Sequence, residues 1–264
     1  MDPTNSHGGV AHEILDDHIM VITVDRKEKR NGFTPKMLAE LAEAMTELDE
    51  NPGLWVGVLT FAGDHTTAGL DMPLFFGADA DPAALATKGL VDPLGLRRRL
   101  TKPQITAVQG ITFTIGIELA LAGDIIIAAD DTRFSQLEPK RGLMAVGGAT
   151  LRFVSRGGWG NAMYHLLRAD EFTAQEAYRI GLVQEVVPAG QQRERAITLA
   201  REIAANAPLA VQLTKENAKV SLEEGEESAI AQFREINRRV NASDDLQEGI
   251  QSFIERRPAR FTGH

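Results

Sequence analysis

The chain has 264 residues, enough for one large domain or two small ones, and its 43% apolar and 25% charged content is that of an ordinary globular protein. A formal charge of -9 argues against general nucleic-acid binding, which needs a basic face to neutralise phosphates, but leaves room for a small basic site for a phosphorylated ligand. The absence of cysteine excludes disulfides, thiolate metal sites and a cysteine nucleophile.

No apolar run reaches the ~18 residues of a membrane span. Met1 to Val10 is polar, with no apolar signal core, so it is expected to be a frayed tail and the protein cytoplasmic. His18 to Asp25 is apolar and β-branched and predicts a strand. A loop follows from Arg26 to Phe33. Thr34-Pro35 reads as an N-cap followed by proline at the first helical position. Met37, Leu41, Met45 and Leu48 then recur at helical spacing, which predicts a helix to about Asn51. Leu54 to Phe61 predicts a buried strand, and Ala62 to Leu70 a loop broken by Gly63 and Gly69.

Residues 71–101, interrupted by Pro82 and Pro93, predict helical turns. Gln104–Val108 predicts a strand, Gly116–Ala122 a helix, and Ile125–Ala129 a strand. Helix dominates from about Gly147. Thr173-x-x-Glu176 reads as a capping box, and its helix stops at Ile180-Gly181, with glycine just past the end. Leu182–Val187 predicts a last strand, and three or four helices fill residues 190–257. Alternating strands and helices followed by a helical third define an α/β core with a helical C-terminal part.

Three segments carry candidate chemistry. Glu118 lies in the apolar run Gly116-Ile117-Glu118-Leu119-Ala120, on no charged helix stripe. It is either a helix-start acid favoured by the dipole or a functional carboxylate, since burying a carboxylate is costly without a reason. Thr114-Ile115-Gly116 leads into that helix, where free N–H groups favour developing negative charge. Glu138, in Ser135-Gln136-Leu137-Glu138-Pro139, reads equally as a helix-start acid. Thr67-Ala68-Gly69-Leu70-Asp71 is a loop in which Gly69 permits close backbone approach to a ligand.

Taken in order, Arg26-x-x-Lys29-Arg30-Asn31, Ala68-Gly69-Leu70-Asp71, Lys102-Pro103-Gln104-Ile105-Thr106-Ala107-Val108-Gln109-Gly110, Gly116-Ile117-Glu118-Leu119-Ala120, Asp124, Gln136-Leu137-Glu138, Gly181-Leu182-Val183-x-x-Val186-Val187-Pro188 and the ending Phe253-x-x-x-Arg257-Pro258-x-x-Phe261-x-Gly263 resemble the crotonase (enoyl-CoA hydratase/isomerase) superfamily over residues 12–263. The resemblance implies a spiral of β-β-α units over residues 11–189. It also implies a helical region, 190–264, that builds a trimer or a dimer of trimers. It places the thioester-binding N–H groups at Ala68 and Ile115. The CoA nucleotide would run along Lys29, Arg30, Gly69, Leu70 and Asp71, with Gly116 at the substrate. Glu118 and Glu138 would be the pair that adds water across a trans-2-enoyl-CoA, Glu118 activating the water and Glu138 supplying the C2 proton.

Isomerisation, another thioester-enolate reaction and non-catalytic acyl-CoA binding are the other readings; an RNA-binding relative fits the acidic charge poorly. Two departures stand out. The family often has Gly-Gly where Thr114-Ile115 stands, and a β-branched residue fits there only at negative φ. A Pro-Gly-Ala-Gly-Gly-like turn is here Ala145-Val146-Gly147-Gly148-Ala149, so Val146 is expected to narrow or redirect the site. His65 and the Arg97-Arg98-Arg99 helix face are expected to be solvated, and Asp124 to brace backbone near Glu118. No metal-ligand spacing and no dinucleotide glycine loop is present, so neither a metal nor a nicotinamide or flavin is expected, and coenzyme A enters only as part of the substrate.

Overall fold

The computed structural model describes residues 8–77 and 89–264. Most of Met1–Val10, and Pro82, therefore lie outside the described residues. Gly9 and Val10, expected in the tail, open β1 (Gly9–Leu15). This strand pairs antiparallel with β2 (Ile19–Asp25) across a turn where Asp16 and Asp17 both take positive φ. β1 is largely exposed and has no apolar alternation, so no period-2 signal marks it.

α1 (Pro35–Glu50) begins as its sequence dictates. The Thr34 hydroxyl accepts from the Met37 N–H at 3.2 Å, and Pro35 occupies the first turn, where no N–H is needed. Its buried stripe is Met37, Leu41, Met45 and Leu48, each at most 1% exposed. β3 (Val56–Phe61), β4 (Gln104–Val108), β6 (Ile125–Ala129) and β9 (Glu185–Val187) extend one sheet in the order β1-β2-β3-β4-β6-β9, parallel from β2 onward. A second sheet holds β5 (Ile111–Phe113), β7 (Arg133–Ser135) and the short β8 (Phe172–Thr173), and an isolated bridge from Thr67 to Thr112 carries the chain after β3 toward it. The chain thus gives one strand to the large sheet and then one to the small sheet on successive passes, which is the expected spiral. These small-sheet strands are too short to leave a periodic signature.

The helices are α2 (Met72–Phe76), α3 (Ile115–Ala122), α4 (Ala149–Arg168, broken at Gly158), α5 (Ala174–Arg179) and, in the C-terminal third, α6 (Gln192–Ala204), α7 (Pro208–Glu224), α8 (Glu226–Ala231), α9 (Phe233–Asn241) and α10 (Asp244–Glu255). Among the described residues the last third therefore holds five helices, not three or four. Gly225, at φ 97°, interrupts one apolar pattern between α7 and α8.

Three further expectations are corrected. The Leu182–Val187 strand shortens to β9, because the N–H groups of Leu182 and Val183 turn back to the Ala177 carbonyl and close α5. The capping box is half made: Thr173 accepts from the Glu176 N–H, but the Glu176 carboxylate pairs with Arg179 and His165. Arg97–Arg99 lie outside any helix, and Arg98 pairs with Asp49 and Glu50 at 3.1 and 3.0 Å.

The loop after β2 is knitted to the loop after β3 by Asn31, which is fully buried. Its Oδ1 accepts from the Arg26 N–H at 2.7 Å, and its Nδ2 donates to the carbonyls of Ala62 and His65 at 2.8 Å each. Asn31→Ala takes the partner from one buried and two part-buried backbone groups and is expected to cost about 2–4 kcal/mol in urea unfolding. A loss below about 0.5 kcal/mol would mean that water replaces these bonds.

Candidate active site

Glu118 is one turn into α3, a helix buried all round its first seven residues, and is itself 5% exposed. Burial pushes its pKa up. The N–H groups of Ala149 and Gly147 and the Arg152 charge oppose that rise, and the Ala149 N–H donates to Oε1 at 3.2 Å. The clamp is tight: a Cβ on Gly147 would stand 2.3 Å from Glu118 Oε2, so any larger residue here would push the carboxylate aside. Arg152, on the first turn of α4, holds the same turn from outside. It donates to the Gly147 carbonyl at 3.1 Å and to the Leu94 and Gly95 carbonyls at 2.7 and 3.2 Å. Val146, expected to narrow the site, is 68% exposed.

Glu138 opens a short 3-10 helix, Glu138–Arg141, just past β7. Burial, reinforced by the negative charge of Glu118, pushes its pKa up to about 7. The Glu118 charge can act on Glu138 only from nearby, so the fold unites side chains twenty positions apart in the chain. With its nitrogen turned toward the acid, the Gln136 amide lies 3.0 and 3.2 Å from the two Glu138 oxygens.

Backbone donors gather at the start of α3. Ile115 takes helical geometry, so its β-branch costs nothing there; the positive φ falls one residue earlier, on Thr114 (φ 48°, ψ -112°). The N–H groups of Ile115 and Gly116 have no acceptor among the described residues. The Ala68 N–H, expected as the other donor, is taken: it donates to the Arg30 carbonyl at 3.0 Å. The open donor of that loop is Leu70. Phe33 N–H donates to the Gly69 carbonyl and Asp71 N–H to the Phe33 carbonyl, both at 2.9 Å, so the Leu70 N–H faces away from that pairing and has no acceptor among the described residues. Extended backbone alternates its donors, but the register that decides which one is open is a tertiary fact.

Those bonds also bring the Lys29-Arg30 loop against Gly69–Asp71. Lys29 and Arg30 are exposed with no ion-pair partner among the described residues. Asp71 is committed to Arg26 at 2.7 Å, so it braces the two loops together. His65 Nδ1 accepts from the Ile111 N–H, a backbone brace and not a solvated side chain. Asp124 accepts from the Gln104 N–H and from Lys215, in keeping with a bracing role. Arg152 went unnoticed in the sequence, where nothing distinguishes it from any other helix arginine.

The α/β spiral thus brings together two carboxyls with raised pKa values and leaves backbone N–H groups without acceptors at the start of the helix that carries one of them. A profile of the enoyl-CoA hydratase/isomerase family matches residues 15–264. The structure superposes with a TM-score of 0.91 on a probable enoyl-CoA hydratase/isomerase from Mycobacterium abscessus, 41% identical, covering 97% of this chain and 98% of that one. Enoyl-CoA hydratase EchA19 of Mycobacterium tuberculosis is 33% identical over 250 residues, 92% of this chain and 93% of the relative. A 1,2-epoxyphenylacetyl-CoA isomerase of Escherichia coli is 29% identical over 252 residues, 93% and 95% of the two chains. The chain belongs to the enoyl-CoA hydratase/isomerase family of the crotonase superfamily.

Proposed function

We propose that the protein is an enoyl-CoA hydratase that adds water across a trans-2-enoyl-CoA. The observation that carries this is the Glu118–Glu138 pair: two carboxyls raised by burial, Glu138 also by the charge of Glu118, together with the open N–H groups of Leu70 and Ile115. Addition at C3 builds negative charge on the thioester oxygen, which those donors would hold. Glu118, fixed by the Ala149 N–H, takes a proton from water as its oxygen bonds to C3. Glu138, which keeps its proton up to about pH 7, delivers it to C2. The pair ends with its proton moved from Glu138 to Glu118, and exchange with solvent resets it. No group beyond the substrate's own coenzyme A is needed, and Lys29 and Arg30 supply positive charge for its phosphates.

A purified sample mixed with a short trans-2-enoyl-CoA should consume the conjugated enoyl absorbance. If that absorbance persists while the ester binds, isomerisation or another thioester-enolate reaction replaces hydration. A homo-oligomer, trimer or dimer of trimers, is part of this reading. It is supported by Phe233, Ile250, Phe253 and Ile254, which are 48–85% exposed on α9 and α10, and a monomer mass in sedimentation equilibrium would remove it. A cytoplasmic location accords with the lack of cysteine and with the absence, among the described residues, of a helix long and apolar enough to cross a membrane.

A further inference from the structure

Thr114 holds a backbone conformation that glycine adopts freely and a β-branched residue does not. Both sides of the residue enforce it. Its N–H donates to the Ser135 carbonyl at 3.0 Å, and its own carbonyl accepts from Ile117 and Glu118 at 3.0 and 3.2 Å. Glycine would relieve the strain, so the side chain must be there for something else. That side chain is part-exposed, and its hydroxyl has no hydrogen-bond partner among the described residues. It leans across the loop after β3, with Oγ1 2.7 Å from where a Cβ on Gly69 would stand. The hydroxyl therefore stands against Gly69, the residue before the open Leu70 N–H, and is carried by the residue directly before the open N–H groups of Ile115 and Gly116.

We propose that the Thr114 hydroxyl is a third donor to the thioester oxygen, a side-chain supplement to the backbone N–H groups of Leu70 and Ile115. This rests on the thioester reading above. A hydroxyl rotates to suit its acceptor, so it can follow the oxygen as charge develops there. Only a residue with a donor on Cβ reaches that point, which accounts for a strained threonine where glycine would be comfortable.

The test compares Thr114→Val, which keeps the shape and strain but removes the donor, with Thr114→Ser, which keeps the donor. Two ligands are used: a trans-2-enoyl-CoA, and an S-alkyl-CoA thioether of the same length that lacks the carbonyl. Thr114→Val should lower kcat/KM about 10- to 100-fold, weaken thioester binding about tenfold and leave the thioether within about twofold. Thr114→Ser should recover most of the loss. Equal weakening of both ligands, or no change in either, overturns the proposal. If the parent chain binds neither ligand, the thioester reading falls and this inference with it. If the parent binds but does not hydrate, and Thr114→Val still weakens only the thioester, the hydratase reading falls while the third donor stands.

Discussion

Glu138→Gln is expected to lower kcat for hydration by about 10²- to 10⁴-fold, the loss typical of removing a positioned proton donor. Glutamine matches the shape of the acid and removes only its proton chemistry. The pH dependence is the sharper readout. Burial and the nearby Glu118 charge lift the Glu138 pKa to about 7. The proton-donating form is therefore present below that pH, and hydration should fall as pH rises through it. The variant's residual activity should lack that limb. A residual profile that still falls near pH 7 would assign the titration to another group and remove Glu138 from the chemistry.

The same shift has a consequence for stability of definite sign. A carboxyl whose pKa rises from 4.5 unfolded to about 7 folded binds its proton more tightly in the native state. Its contribution is full below pH 4.5 and is lost as pH climbs to about 7, at most about 3 kcal/mol. Glu138→Gln carries no such penalty. Above pH 7 the variant should be more stable than the parent, and the difference should vanish near pH 4. Denaturant midpoints at pH 4.5 and 8 decide this, and equal differences at both would contradict the raised pKa.

Gly147→Ala is expected to lower kcat/KM by about 10²-fold or more while leaving the fold intact. The added methyl would stand 2.3 Å from Glu118 Oε2 and 2.6 Å from its Cδ. Gly147 does not sit at positive φ, so the penalty comes from contact and not from backbone conformation. A displacement of about 1 Å of a catalytic group costs on the order of a hundredfold in rate. The structural cost should stay near 1–3 kcal/mol, because Arg152 still holds the turn by its carbonyl. Unchanged kinetics would show that the Glu118 carboxylate relaxes freely and that the turn does not position it.

Most of the large sheet was legible because its strands are buried on both faces and read as continuous β-branched runs, as in Ile19–Asp25 and Ile125–Ala129. α1 was legible from its cap and its four-residue stripe, and Glu118 from standing alone among apolar residues. Each of these signals is local in the chain. β1, β5, β7 and β8 were not legible, since a two- or three-residue strand or an exposed edge carries no period to count.

The sequence by itself determined the α/β class, the order of the main elements and, through the ordered motifs, which two acids to watch. The tertiary structure alone decided that Leu70 and not Ala68 offers the open N–H, that Asp71 is a brace for Arg26, that Arg152 and Gly147 grip Glu118, and that the strain sits on Thr114 and not on Ile115. The reason is the same in each case. Which donor is open depends on strand register, and what a carboxyl feels depends on burial and on neighbours distant in the chain. Residue type and spacing carry neither.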